Sequence, residues 1–243
     1  VLISSFLLYA PAAEADGLGT ASTYPGYVIQ QQVSQAGPLT IFISSVAVRC
    51  NTPMGNVVFI APKWDCYFFN DDSRRYVCFD HDSWMKRLVT MNNGRVLGAG
   101  WSKLRQEPVK GLPANVYSKG DPNLPTGSIA WISDAPDFRQ AAQVILPMLT
   151  QIGVDFPPDR NGFPIQVLGH NDDTGKNVQI WEWQTTNVKK TNIPASIFGF
   201  PKQYRLAKDE FEVMTTTSMD EQMDLYGTMK KEMKKTPAKK PAQ

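Results

Sequence analysis

A mainly β fold, an antiparallel sheet covered by one or two α-helices, is what this sequence predicts, on three observations. Short runs rich in aromatic and β-branched residues recur between Gly, Pro and Asn/Asp turn signals. One stretch after Ser133 has helical period instead. Several strand-like runs carry large apolar side chains on both faces. The sheet is therefore either covered on both sides or curled around an apolar cavity that the helix closes.

The composition agrees. Of 243 residues, 42% are hydrophobic and 20% charged, with 17 glycines and 18 prolines, which suits a turn-rich globular protein rather than disorder or a coiled coil. Lys230 to Gln243 holds six lysines against Glu232, more than the formal +2 of the whole chain, so the body is slightly acidic. This disfavours a body that binds nucleic acid. The three cysteines fit no paired-cysteine zinc spacing, and two histidines make no histidine-rich metal site. Neither a metal nor a cofactor is expected.

Taken in order, Val1 to Ala10 is an apolar run, followed by Pro11 and by small residues at Ala13 and Ala15. Residues 1–15 have the pattern of a signal-peptide core and cleavage site, the ten-residue apolar run being about half the ~20 residues that span a bilayer. The expected location is periplasmic or extracellular; an apolar first strand or a retained anchor is the alternative. A polar linker occupies 16–26, and the folded domain is expected over 27–216. Tyr27 to Ser34 alternates weakly. Leu39 to Arg49 reads as one strand, with Ile41, Ile43, Ser45, Ala47 and Arg49 on one face and Phe42 on the other. Pro53 to Gly55 is a turn, and Asn56 to Ala61 a further apolar strand.

The densest β signal runs from Trp64 to Trp84, two aromatic strands around the polar turn Asp71-Asp72-Ser73. Trp64, Cys66 and Phe68 share one face; Asp65, Tyr67 and Phe69 share the other. If the turn centres on Asp72, Cys66 faces Cys78, near enough for a cross-strand disulfide in an oxidising compartment. Cys50 competes for either partner, and buried free thiols are the alternative.

Ser83 to Leu88 suggests a helical turn, and Val96, Leu97, Trp101 and Leu104 mark weaker strands. Asn115 to Ser118 and Ser128 to Ile132 are strands around a Pro/Gly loop. Ser133-Asp134-Ala135-Pro136 is a helix start, a capping residue followed by proline in the first turn. Phe138, Ala141, Ala142, Ile145, Leu149 and Ile152 then form an apolar stripe, kinked by Pro147 and ended by Gly153. A tight turn at 161–164 leads to a second hairpin, Ile165 to Leu168 and Asn177 to Thr186, with Trp181 and Trp183 on one face. Residues 217–243 should form a helix (Met219 to Met233) and a Lys/Pro/Ala tail.

No catalytic residue stands out. Asp65, Asp71, Asp72, Asp80 and Asp82 cluster in sequence, but Asp beside Asn is ordinary turn chemistry and the spacing is not that of a calcium loop. His81 between two aspartates reads as solvated. There is no nucleophile elbow, phosphate loop or dinucleotide fingerprint.

The order of features from Gly37 to Leu88 resembles the superfamily of periplasmic carriers that sort outer-membrane lipoproteins. Tyr67-Phe68-Phe69-Asn70 resembles the aromatic strand of that superfamily, and Arg49 its arginine at the end of an early strand. The segments Gly162 to Pro164 and Ile197 to Tyr204 are similar to secreted relatives of those carriers. The resemblance implies a mainly β fold: a curled antiparallel sheet, an incomplete β-barrel, covered by one or two α-helices around an apolar cavity. On that basis the expected function is non-enzymatic, the holding of an acyl chain or other apolar ligand between sheet and helix in the cell envelope. The expected ligand-binding residues are Arg49, Phe42, Phe59, Trp64, Phe68, Phe138, Ile145, Leu149 and Trp181. The alternative is an envelope or assembly subunit without a ligand, docking on a protein partner through its sheet edge and C-terminal helix, its lysine tail meeting an anionic surface.

Overall fold

Two antiparallel meanders build the sheet. The first runs through β1 (Thr23–Val33), β2 (Gly37–Ser44), β3 (Ala47–Thr52), β4 (Gly55–Ile60), β5 (Asp65–Asn70) and β6 (Arg75–Phe79). The second runs through β7 (Trp101–Val109), β8 (Leu112–Lys119), β9 (Ser128–Ser133), β10 (Phe163–Asn171) and β11 (Val178–Pro194). Helix α1 (His81–Met91) links the meanders, and α2 (Arg139–Leu149) bridges β9 and β10. A two-residue strand, β12 (Arg205–Leu206), and α3 (Glu210–Met214) follow. The computed structural model describes residues 20–34, 36–91, 100–121, 127–149, 156–157, 162–171 and 178–215. The expected signal peptide, the first four residues of the linker, Val96 and Leu97, Ile152 and Gly153, and the C-terminal helix and tail lie outside the described residues.

Pairing of β1 with β11, from Thr23 opposite Pro194 to Val33 opposite Trp183, joins the meanders into one sheet. Its order is β12-β6-β5-β4-β3-β2-β1-β11-β10-β9-β8-β7, and β12 alone is parallel to its neighbour. This corrects the expected curled, incomplete β-barrel. The order is linear and ends on two different edges, β12 and β7, which do not pair. Both edges are blunted. β7 presents Lys103, Arg105, Glu107 and Pro108 and is bulged near Leu104, while β12 is only two residues long.

Aromatic residues occupy both faces because both faces are covered, not because the sheet encloses a lumen. On one face, Ile29, Ile41, Phe59, Cys66, Phe68 and Trp183 pack with Trp84 of α1 and with Phe138, Ala141 and Ile145. On the other, Val58, Tyr67 and Phe69 pack with Phe198, Phe200 and Tyr204 of a strap that crosses the first meander. The strap begins as a single 3-10 turn, Ala195–Phe198.

Three local readings change. Leu39 to Arg49 is a hairpin rather than one strand. Ser44 Oγ accepts from Val46 N (3.3 Å) and Ala47 N (3.0 Å) and donates to Ala47 O (3.0 Å), which turns the chain. The helix after Ser133 starts without a side-chain cap, as a 3-10 turn at Pro136–Phe138. Asp134 instead accepts from Asn115 Nδ2 at 3.2 Å. Finally, β1 begins at Thr23, within the expected linker.

Candidate functional site

The layer between the sheet and its helical cover is the candidate site, and two of its polar residues, Gln31 and Thr185, face each other on the two central strands. Gln31 of β1 pairs across the sheet with Leu39 of β2 and Thr185 of β11. Alternation puts it on the face of Ile29 and Val33, where it is 2% exposed. Its Nε2 donates to Pro164 O (3.0 Å) and Thr185 Oγ1 (2.9 Å), and Thr185 Oγ1 donates on to Ile165 O (2.6 Å). A flipped amide would set its oxygen against the Pro164 carbonyl, so these bonds fix the orientation of Gln31. Its Oε1 is left buried without a hydrogen-bond partner among the described residues.

Trp183, the next inward residue along β11, pairs with Val33 and Val167 and is fully buried. Phe156 meets its ring edge-on at 5.9 Å between centroids. Its Nε1 is also an orphan, as is Nε1 of Trp84 in α1. Trp84 lies elsewhere in the layer, against Phe79 (5.6 Å) and Phe59 (6.3 Å). The cover is apolar: Phe138, Ala141, Ala142, Val144 and Ile145 are all fully buried. Phe138 packs on Tyr27 at 4.8 Å, and Lys190 lies over the far side of that contact, 5.4 Å from the Tyr27 ring and 3.9 Å from Asp137.

The expected ligand residues divide. Phe59, Phe68, Phe138 and Ile145 belong to this layer, and Trp64 packs against it from the β4–β5 turn with a positive φ of 59°. Leu149 ends α2, and its side chain lies outside the described residues. Phe42 and Arg49 are on the opposite face. Arg49 is committed to the strap: it donates to Asn51 Oδ1 (2.6 Å) and Ile197 O (2.8 Å), and its guanidinium lies 5.3 Å from the Phe69 ring centre. Trp181 is 41% exposed, 5.8 Å from Trp131. A bulge between its pairing with Leu168 and that of Trp183 with Val167 sends the two tryptophans to opposite faces, against the shared face that strict alternation predicts. Gly169 makes room for the bulged Glu182, whose Oε1 lies 2.0 Å from where a Cβ would be.

The expected Cys66–Cys78 disulfide is not formed; all three thiols are free. The turn centres between Asp72 and Ser73 rather than on Asp72, pairing Asn70 with Arg75, so Cys66 faces Phe79 and Cys78 faces Tyr67. Paired residues share a face, and Cys66 and Cys78 therefore point to opposite ones. Burial pushes the Cys50 thiol up to about 12 and holds Cys66 well above its ordinary range. Cys78 is pushed up to about 11, mainly by burial and in spite of its hydrogen bond with Tyr67. All three are thiols rather than thiolates at neutral pH.

The acidic run is structural. Asn70 Oδ1 accepts from Asp72 N (2.8 Å) and Ser73 N (3.1 Å), and Asp71 accepts from Asn56 Nδ2 (3.1 Å) and Tyr204 OH (2.8 Å). Asp80 caps α1 through Ser83 N (2.8 Å) and Ser83 Oγ (2.7 Å), bonds that lower its pKa. His81 lies 3.5 Å from Asp82. Among the described residues no group of three or more His, Cys, Asp or Glu is placed to hold a metal. A cavity of about 230 Å³ opens at the β7–β8 hairpin beside Gln106, Pro108, Pro113 and Asp134, and none of the expected ligand residues lines it. Its volume is below the roughly 300–1,000 Å³ usual for small-molecule sites.

No protein-family model matches the chain, and no curated protein matches it in sequence. Among solved structures, it is similar at 9% identity and a TM-score of 0.39 to an uncharacterized conserved protein from Thermus thermophilus, over 76% of this chain and 90% of that one. It is similar to LprF from Mycobacterium bovis at 10% identity and a TM-score of 0.26, over 74% and 91%. It is also similar to a putative outer membrane lipoprotein-sorting protein domain from Vibrio parahaemolyticus at 10% identity and a TM-score of 0.19, over 73% and 89%. These likenesses are weak, and with all three TM-scores below 0.5 none bears on what this chain does.

Proposed function

We propose that this is an exported, non-catalytic binding protein that holds an apolar ligand between its open sheet and the helical cover. One observation carries the reading. Among the described residues, Gln31 Oε1, Trp84 Nε1 and Trp183 Nε1 have no hydrogen-bond partner inside a mostly apolar layer, where buried polar groups are almost always paired. Such atoms mark a layer built to receive something. The cover suits entry: Ala141 and Ala142 are the small residues of α2 there, and no backbone ladder ties α2 to the sheet. The thiols, held protonated, supply no nucleophile. The apolar run at Val1 to Ala10, ahead of Ala13 and Ala15, supports export.

The test is native mass spectrometry after exposure of the purified protein to membrane lipid extract, paired with titration of a fluorescent fatty-acyl probe. A mass adduct that the probe displaces is expected. A protein that neither carries an adduct nor shields the probe from water would rule the function out.

A further inference from the structure

We infer that the layer takes an apolar chain ending in an uncharged group that both donates and accepts a hydrogen bond, a hydroxyl or a protonated carboxyl, anchored by Gln31 and Trp183. This rests on the apolar-ligand reading above and names the chemistry of that ligand. Gln31 Oε1 is an acceptor and Trp183 Nε1 a donor; both are buried and both lack a partner among the described residues. Thr185, opposite Gln31, and Trp183, opposite Val33, are successive inward residues of β11, so the two orphans occupy neighbouring places on one face. A single O–H placed between them would satisfy both, donating to Gln31 and accepting from Trp183.

Gln31 cannot meet that need by turning, because Pro164 O and Thr185 Oγ1 hold its amide nitrogen. An ionised head group fits poorly. The nearby described side chains Phe138, Phe156, Phe163, Ile29 and Val33 are apolar, and a carboxylate there would be buried with no counter-charge among the described residues. The cation near this end of the cover, Lys190, has a 71% exposed side chain and faces Asp137. The same apolar residues suit a hydrocarbon chain leading away from the anchor. Trp84 Nε1, among Phe59 and Phe79, plays no part in this clamp.

Displacement of a fluorescent fatty-acyl probe by decan-1-ol and by its methyl ether tests the inference, since the ether keeps the acceptor and chain but lacks the donor. The unsubstituted protein should bind the alcohol about 10-fold more tightly, the effect of one buried hydrogen bond lost with its partner stranded. Gln31→Met should bring the ratio close to one. Trp183→Phe should weaken both ligands, since each accepts from the indole. Thr185→Val, which releases the Gln31 amide, should lower the ratio and serves if either other variant fails to fold.

Equal binding of alcohol and ether by the unsubstituted protein would overturn the head-group inference, as when one bridging water satisfies both orphans, while leaving the apolar-ligand reading intact. A ratio unchanged in Gln31→Met would overturn it as well. Displacement by neither compound would remove the apolar-ligand reading itself.

Discussion

Gln31 shows how a single residue changes the reading of a site. In the run Gln30-Gln31-Gln32 it looks like solvent-facing polarity, yet alternation with Ile29 and Val33 carries it inward. That alternation was available in the sequence; the partners that hold its amide, Pro164 and Thr185, are more than a hundred residues away and were not. The thiols make a residue-scale prediction. Their folded pKa values are raised, so their contribution to stability is complete below the ordinary thiol pKa and is lost as pH rises through the folded values. For Cys50 that window runs from 9.0 to about 12. The urea midpoint should hold steady from about pH 7 to 8 and fall above about 9. Cys50→Val should make that fall shallower; an identical slope would count against the buried thiol as a source. At neutral pH a thiol reagent should modify Cys78 alone in the folded protein, since Cys50 and Cys66 are fully buried, as mass analysis of the labelled peptides would read.

At the scale of elements, the misread segments share one cause. Side chains on a strand have period two, so an undetected turn or a one-residue slip reverses every later face. The Ser44 turn did this to Leu39–Arg49, the true centre of the Asp71–Arg74 turn did it to Cys66 and Cys78, and the Glu182 bulge did it to Trp181. Long elements with a repeated signal were easier. The stripe from Phe138, the last residue of the 3-10 turn, to Ile145 of α2 faces the sheet, as its spacing predicts. Phe138→Ala should destabilise by about 3–5 kcal/mol, the usual result of emptying a buried aromatic site, measured by urea denaturation. The strap depends on Arg49. Arg49→Met keeps the apolar stem but loses the bond to Ile197 O and the contact over Phe69. Faster amide exchange across 195–200 and a loss of about 1–3 kcal/mol should follow. Unchanged exchange there would show that the strap is held by its aromatic contacts alone.

Across the whole molecule, both edges of the open sheet are unattractive to other strands, β7 through its charges, proline and bulge and β12 through its shortness. Replacing Lys103 and Arg105 with threonine and Pro108 with valine would give β7 a flat, uncharged edge. The triple variant should associate with rising concentration in light scattering, above the mass of the unsubstituted protein; equal masses would show that the Leu104 bulge suffices. The two covers explain why no single clean alternation runs along β4 or β5, all or nearly all of whose residues are buried. In such a sheet, aromatic residues on both faces report the number of covering layers, not curvature.

By itself, the sequence determined the mainly β class, the aromatic β5–β6 hairpin and the apolar stripe of α2, because each is a local repeat that recurs whatever lies next to it. It also placed Phe138 and Ile145 on the apolar stripe that covers the sheet. The tertiary structure alone decided that β1 and β11 join two meanders, that the sheet remains open, and that Gln31 and Trp183 share one face while Phe42, Arg49 and Trp181 face elsewhere. Those outcomes depend on register and on pairing between distant segments. No local period carries that information, and a shift of one residue is enough to reverse a face.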